Sequence, residues 1–162
     1  MTLREISLKL PNRAGTLVSV ARILATHRIN VAAISVDSTV RVGNVRLVVN
    51  EPDRAIGLLK EAGYPVEVHE LIAVHLEDRA GTFLKVLDVL AHGEVNIRGV
   101  AILIAREGSR SLVALHVDDP VRARDLLERS GFISQAAERL VTNADLLAAA
   151  PGIPSESVGM LL

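Results

Sequence analysis

Ile6, Leu8 and Leu10 alternate with Glu5, Ser7 and Lys9, and Ile72, Val74 and Leu76 alternate in the same way farther along the chain. This is the period-two mark of a half-buried strand. Leu17, Val20, Ala21 and Leu24 then fall at i, i+3, i+4 and i+7, as do Phe83, Val86, Leu87 and Leu90, so each strand hands over to a helix with one apolar stripe. The runs 30–36 and 96–105 are β-branched and apolar. A glycine among polar residues follows each, at Val42-Gly43-Asn44 and Glu107-Gly108-Ser109, and predicts a hairpin loop. Val45, Leu47 and Val49, or Val113, Leu115 and Val117, supply the returning strand. A second helix starts with Pro52 or Pro120 after Asn50-Glu51 or Asp118-Asp119, turns Ala55, Leu58, Leu59 and Ala62 inward in the first copy, and stops at Gly63 or Gly131. Residues 66–70 read as a fourth strand running straight into the next alternating segment.

The chain therefore repeats itself. Asn12-Arg13-Ala14-Gly15-Thr16 returns as Asp78-Arg79-Ala80-Gly81-Thr82 at a shift of 66 residues, and Pro52-Asp53-Arg54-Ala55 returns as Pro120-Val121-Arg122-Ala123 at a shift of 68. The two extra residues are expected in the second hairpin loop. The fold class is α+β: two ferredoxin-like βαββαβ units over residues 1–70 and 71–142, their antiparallel sheets paired side by side, with a short tail over 143–162. Residues 133–141 would pass as helix by propensity, but the repeat places them on the fourth strand of the second unit. Asn143 and the alanines to 150 suggest a short helix ended by Pro151-Gly152. Because residues 100–105 are apolar on both faces of an edge strand, the two second strands are expected to meet edge to edge, with all helices on a common face.

Composition narrows the function classes. The chain has 162 residues, 49% of them hydrophobic, and balances 18 basic against 19 acidic side chains. That leaves no electrostatic footprint for nucleic acid. Phe83, Phe132 and Tyr64 are the whole aromatic complement, too few for base stacking. No cysteine occurs, which removes thiolate chemistry and disulfides. Both charge signs precede the first apolar stretch and no run approaches a membrane span, so an unprocessed cytoplasmic protein is expected. His27, His69, His75, His92 and His116 include no i, i+4 pair, so no metal is expected. No glycine-rich nucleotide loop and no nucleophile-base arrangement stands out, so an enzyme reading draws no positive support and no cofactor is expected.

The densest identity between the halves lies at the turn that starts the first helix, which makes Asn12, Arg13, Ala14, Gly15 and Thr16, with Asp78, Arg79, Ala80, Gly81 and Thr82, the candidate site. A helix start offers free N–H groups and a positive dipole end, and glycine lets a ligand approach the backbone. Caps and turn glycines would explain the same residue types. A cation in the first helical turn opposes the dipole, so Arg13 and Arg79 are retained either for a surface ion pair or for a bound anion. Asn30 and Asn96 open the edge strands and would reach the seam between units, or serve as turn residues with positive φ.

These residues resemble the ACT domain, a small regulatory module that binds amino acids. The resemblance covers residues 1 to 140 as two tandem copies and rests on Asn12-Arg13-Ala14-Gly15 followed eighteen positions after Asn12 by Asn30, and on Asp78-Arg79-Ala80-Gly81 followed by Asn96 at the same distance. In serine-sensing modules of this family, side chains matching Asn12 and Asn30 hold the effector between two modules. The resemblance thus implies ligand contacts from Asn12, Asn30, Asp78 and Asn96. Leu10 and Leu76 stand where those modules have His, and Ala14 and Ala80 where they commonly have Pro, which argues away from serine. Asp78 in place of Asn12 would repel a carboxylate and accept an ammonium, so the two sites are expected to fill unequally.

The expectation is a non-catalytic sensor, a homodimer, in which an amino acid bridges the units and alters affinity for a partner enzyme or regulator. No nucleic acid or membrane is involved in that reading. The alternative is a ligand-free interaction module docking on a partner enzyme.

Overall fold

The computed structural model describes residues 2–77, 79–107 and 110–133. Asp78, the later part of the expected fourth strand of the second unit and the tail lie outside them. The elements are β1 (Thr2–Pro11), α1 (Thr16–Thr26), β2 (Val31–Ser38), β3 (Val42–Val49), α2 (Pro52–Glu61), β4 (Val66–Glu77), α3 (Thr82–His92), β5 (Ile97–Glu107), β6 (Arg110–Val117) and α4 (Pro120–Arg129).

All strand pairs are antiparallel and form one six-stranded sheet in the order β2-β3-β1-β4-β6-β5. β4 crosses the boundary at residue 70 without a break. Its first half pairs with β1, Thr2 opposite Ile72 and Leu8 opposite Val66. Its second half pairs with β6, Ile72 opposite Leu115 and Glu77 opposite Arg110. One strand thus serves as the last of the first unit and the first of the second.

The helices lie on a common face. Ile6, Leu8, Leu47 and Val49 pack there with Val20, Leu24, Ala55 and Leu59. Ile72, Val74, Leu115 and Val117 pack with Val86, Leu90, Ala123 and Leu127. The opposite face joins the units: Leu3, Ala33 and Val48 of the first meet Leu71, Leu103, Leu112 and Ala114. Burying a third apolar cluster requires the sheet to curl, and Cα atoms of β2 and β5 accordingly approach within 8 Å although the strands end opposite edges of the ladder.

Three expectations need correction. The halves are joined through β1, β4 and β6, and no ladder connects β2 to β5 among the described residues. A shared strand makes the join with backbone hydrogen bonds already present in each unit, so edge-to-edge pairing of the second strands is not needed. The first hairpin turns at Val40-Arg41, closed by Thr39 N donating to the Val42 carbonyl at 2.9 Å, and Val42, Gly43 and Asn44 already belong to β3. The two extra residues sit in a bulge of β5 between Ile102 and Arg106, where a twisted edge strand absorbs them ahead of the Glu107–Arg110 pair; Gly108 and Ser109 lie outside the described residues.

Candidate functional site

The turn after the first strand has the same backbone path in both units. Arg13 N donates to the Pro11 carbonyl at 2.8 Å and Thr16 N to that of Arg13 at 3.2 Å; Arg79 N to Glu77 and Thr82 N to Arg79 repeat both distances. Gly15 and Gly81 then cap α1 and α3 at φ +88° and +85°, the left-handed region that disfavours a side chain. A Cβ on either would meet nothing within 4 Å, so the space over the turn is open.

Asn12 is not a helix cap. Its Nδ2 donates to the Thr39 carbonyl at 2.8 Å and its backbone N to that of Arg41 at 3.0 Å, tying the turn to the β2–β3 hairpin. Arg13 and Arg79 lie three residues ahead of the helices rather than in their first turns, so the dipole does not act against them as the sequence suggested. Arg79 forms an ion pair with Glu77. Pro11 occupies the equivalent position in the first unit, and Arg13 has no ion pair among the described residues. Ala14 and Ala80 are exposed, and Thr16 and Thr82 half-buried.

Asn30 and Asn96 do not join the turns of their own units. α1 separates Asn12 from Asn30 by roughly 16 Å, at 1.5 Å per residue over its 11 residues. Both asparagines are exposed and do not adopt positive φ, which occurs instead at Arg28 and Glu94. Their backbone N–H groups donate to Asn50 Oδ1 at 3.0 Å and to Asp118 Oδ1 at 2.9 Å. Five antiparallel steps across the sheet make β2 and β5 run in opposite directions. The Asn12 turn therefore shares an end of the sheet with Asn96, and the Arg79 turn shares the other with Asn30.

Beside the second turn lies a cleft of about 260 Å³, lined by Leu76, Glu77, Arg79, Phe83, Val100, Ile102, Ser111 and Val113. Its walls are exposed apolar side chains, with Ile102 at 72%. Sequence reasoning singled out the turn and overlooked these walls. The signal was present in the repeat: Leu17 with Phe83, Val18 with Leu84, Ile34 with Val100 and Val36 with Ile102 are large, apolar and exposed in both copies at the shift of 66. Ser111 faces Leu76 as Gly43 faces Leu10. The arrangement offers a hydrophobic wall, a guanidinium at its rim and open backbone over a helix start, which suits a small anion or zwitterion with an apolar body.

The sequence matches the ACT domain pair family over residues 1–131. The chain belongs to that family. No curated protein matches this ACT pair in sequence. Among solved structures it is similar to protein BT0572 from Bacteroides thetaiotaomicron, with 23% identity, a TM-score of 0.79, and 90% of this chain and 96% of that one covered. It is also similar to the ligand-free regulatory subunit of aspartate kinase from Thermus thermophilus, with 17% identity, a TM-score of 0.55, and coverage of 78% and 90%. A structure of aspartokinase alpha and beta subunits shares 14% identity, a TM-score of 0.53, and coverage of 82% and 93%. At these identities the likeness is one of fold. Among the described residues of this ACT pair, no helix is long and apolar enough to cross a membrane, and no group of His, Asp or Glu side chains is arranged to hold a metal.

Proposed function

We propose that this ACT pair is a non-catalytic sensor that takes an amino acid in the cleft beside Arg79 and over the equivalent turn at Arg13. The carboxylate meets the guanidinium and the backbone over Gly15 or Gly81. The ammonium meets the asparagine that the other unit places at the same end of the sheet, Asn96 for the first turn and Asn30 for the second, with Asn12 or Asp78 beside it. The observation that carries this reading is the four pairs of exposed apolar residues kept in both copies. Exposed valine, isoleucine and phenylalanine gain nothing in water, and their duplicate retention beside a glycine turn points to a ligand with an apolar side chain.

A second reading is favoured by the structural neighbours, two of which are subunits or regulatory subunits of an aspartate kinase. In it the chain, itself a homodimer, docks on a partner enzyme without taking a ligand. Melting of the purified protein against the twenty standard amino acids tests the first reading. A true effector at a hundredfold its Kd stabilises by about 2.7 kcal/mol, a shift easily read. A panel that is silent at millimolar concentration overturns ligand sensing, and co-purification of a stoichiometric enzyme would then favour the docking module.

A further inference from the structure

Away from these turns, the concave face of the sheet carries a polar cluster to which both units contribute. Glu5 on β1, Arg46 on β3, His69 on β4 and His116 on β6 point to this face, since Ile6, Leu47 and Leu115 next to three of them lie in the helix-covered cores. Glu5 is only 5% exposed, and its Oε1 has no hydrogen-bond partner among the described residues. The Nε of Arg46 is likewise buried without a partner among them, while its Nη2 donates to Asp37 Oδ2 at 2.6 Å and Ser35 Oγ at 3.3 Å. The rings of His69 and His116 stack with centroids 4.7 Å apart and planes 27° from parallel. Gly99 on β5 closes the cluster from the second unit: a Cβ there would lie 3.0 Å from Arg46 Nη1.

We propose that Glu5, Arg46, His69 and His116 form a proton-operated latch across the two units, closed while the imidazoles are neutral and loosened once both are protonated. A first proton on His69 is compensated by the buried Glu5 carboxylate. A second, on His116, has no unspent anion to meet among the described residues. Glu67, 3.9 Å from His69, pairs with Lys9 at 3.2 Å, and Asp37 is held by Arg46. Arg98 on β5 and Arg46 both act on His116 as cations, and His75 lies farther along β4, opposite Leu112. Two imidazolium rings at stacking distance repel. They separate by moving β6, and with it Gly99 on β5, away from Arg46. The crevice between the units then opens.

The titration directions agree with this geometry. Burial first, then His69, Arg98 and Arg46, hold the His116 imidazole below its ordinary value. A lowered imidazole contributes stability that is present above its unfolded value, about 6.5, and is lost as pH falls below it. Burial raises the Glu5 carboxyl, with Arg46 and His69 acting against that. Its buried charge therefore costs stability at neutral pH, a cost relieved in stronger acid, so the latch is read between about pH 6.5 and the Glu5 titration.

The test is a titration of the histidine ring signals of the intact chain from pH 8 to 5, with amide hydrogen exchange in β3 and β5 corrected for intrinsic chemistry. The expected result is a His116 titration below the ordinary range and at least a tenfold loss of β5 protection in acid. His116→Gln flattens the protection profile, and so does His69→Gln should the first variant not fold, while in the latter the His116 titration moves up only part of the way because burial, Arg98 and Arg46 still hold it down. Glu5→Gln enlarges the acid loss, because the first proton is no longer compensated. His92→Gln, at the end of α3, leaves the profile unchanged. An ordinary titration of His116, an acid loss that persists in both histidine variants, or an unaltered profile in Glu5→Gln would overturn the proposal.

Discussion

The two helix-starting turns share a skeleton and differ in charge. Both have a left-handed glycine capping the helix, the same turn hydrogen bonds and equivalent exposed apolar side chains in their unit. The first unit carries Pro11-Asn12-Arg13, and the second carries Glu77-Asp78-Arg79. Arg79 is consequently neutralised by Glu77, whereas Arg13 stands exposed with no ion pair among the described residues. Duplication preserved what shapes the turn and let the charges that select an anion diverge. Under the proposed function, a ligand carboxylate meets an available guanidinium at the first turn and must displace a carboxylate at the second.

The largest expected effect tests whether the two units are independent at all. Leu59 and Leu127 are fully buried equivalents in α2 and α4, each in the core of its own unit. Leu59→Ala and Leu127→Ala are each expected to cost about 2–5 kcal/mol in urea unfolding. Because β4 pairs with strands of both units in the one sheet, both variants should unfold in a single transition with unchanged slope. Two separated transitions would show that the shared strand does not couple the units.

Next in size are the substitutions that equalise the two turns. Arg13→Ala is expected to weaken amino-acid binding by roughly tenfold, the equivalent of about 1.4 kcal/mol. Glu77→Gln, by freeing Arg79, should strengthen binding at the second turn by a similar factor. Calorimetry that resolves a strong and a weak site in the natural chain, and brings them together in Glu77→Gln, would confirm the charge argument. Equal sites in the natural chain would refute it.

Much of the fold was legible because the sequence states it twice. Alternation at Ile6–Leu10 and Ile72–Leu76, the Pro52 and Pro120 helix starts and the Gly63 and Gly131 stops each had a second witness at a fixed shift. What was not legible depended on the sheet's curl, which brings residues distant in sequence together on the concave face. Glu5 and Ser7 read as the solvent side of an amphipathic strand, yet both are buried there. The stacked His69 and His116 were likewise invisible, being separated by a whole helix-strand-strand excursion. At the candidate site, the repeat singles out the turn. The wall was missed because isolated exposed aliphatics carry no local signal, and the role of Asn12 because a hydrogen bond to Thr39 is tertiary.

The smallest effect concerns a contact that only one unit has. Arg4 on β1 donates two hydrogen bonds to Asp53 in the first turn of α2, at 2.6 and 2.7 Å. The equivalent positions in the second unit are Glu70 and the exposed Val121, so α4 lacks this staple and relies on Asp119, whose side chain caps it by accepting from Arg122 N at 3.0 Å. The hydrogen bond from Arg4 holds the Asp53 carboxyl below the usual carboxylate range. A lowered carboxyl contributes stability above its unfolded value, about 3.9, and loses it as pH falls through the folded value. Asp53→Asn should therefore melt slightly below the natural chain at neutral pH, and the gap should close in acid below about pH 4 and shrink in high salt. Because the pair is solvent-exposed its worth is small. Transplanting it as Glu70→Arg with Val121→Asp should raise the melting temperature by a comparably small step, and a fall would mean that the helix-to-strand spacing is not equivalent in the two units.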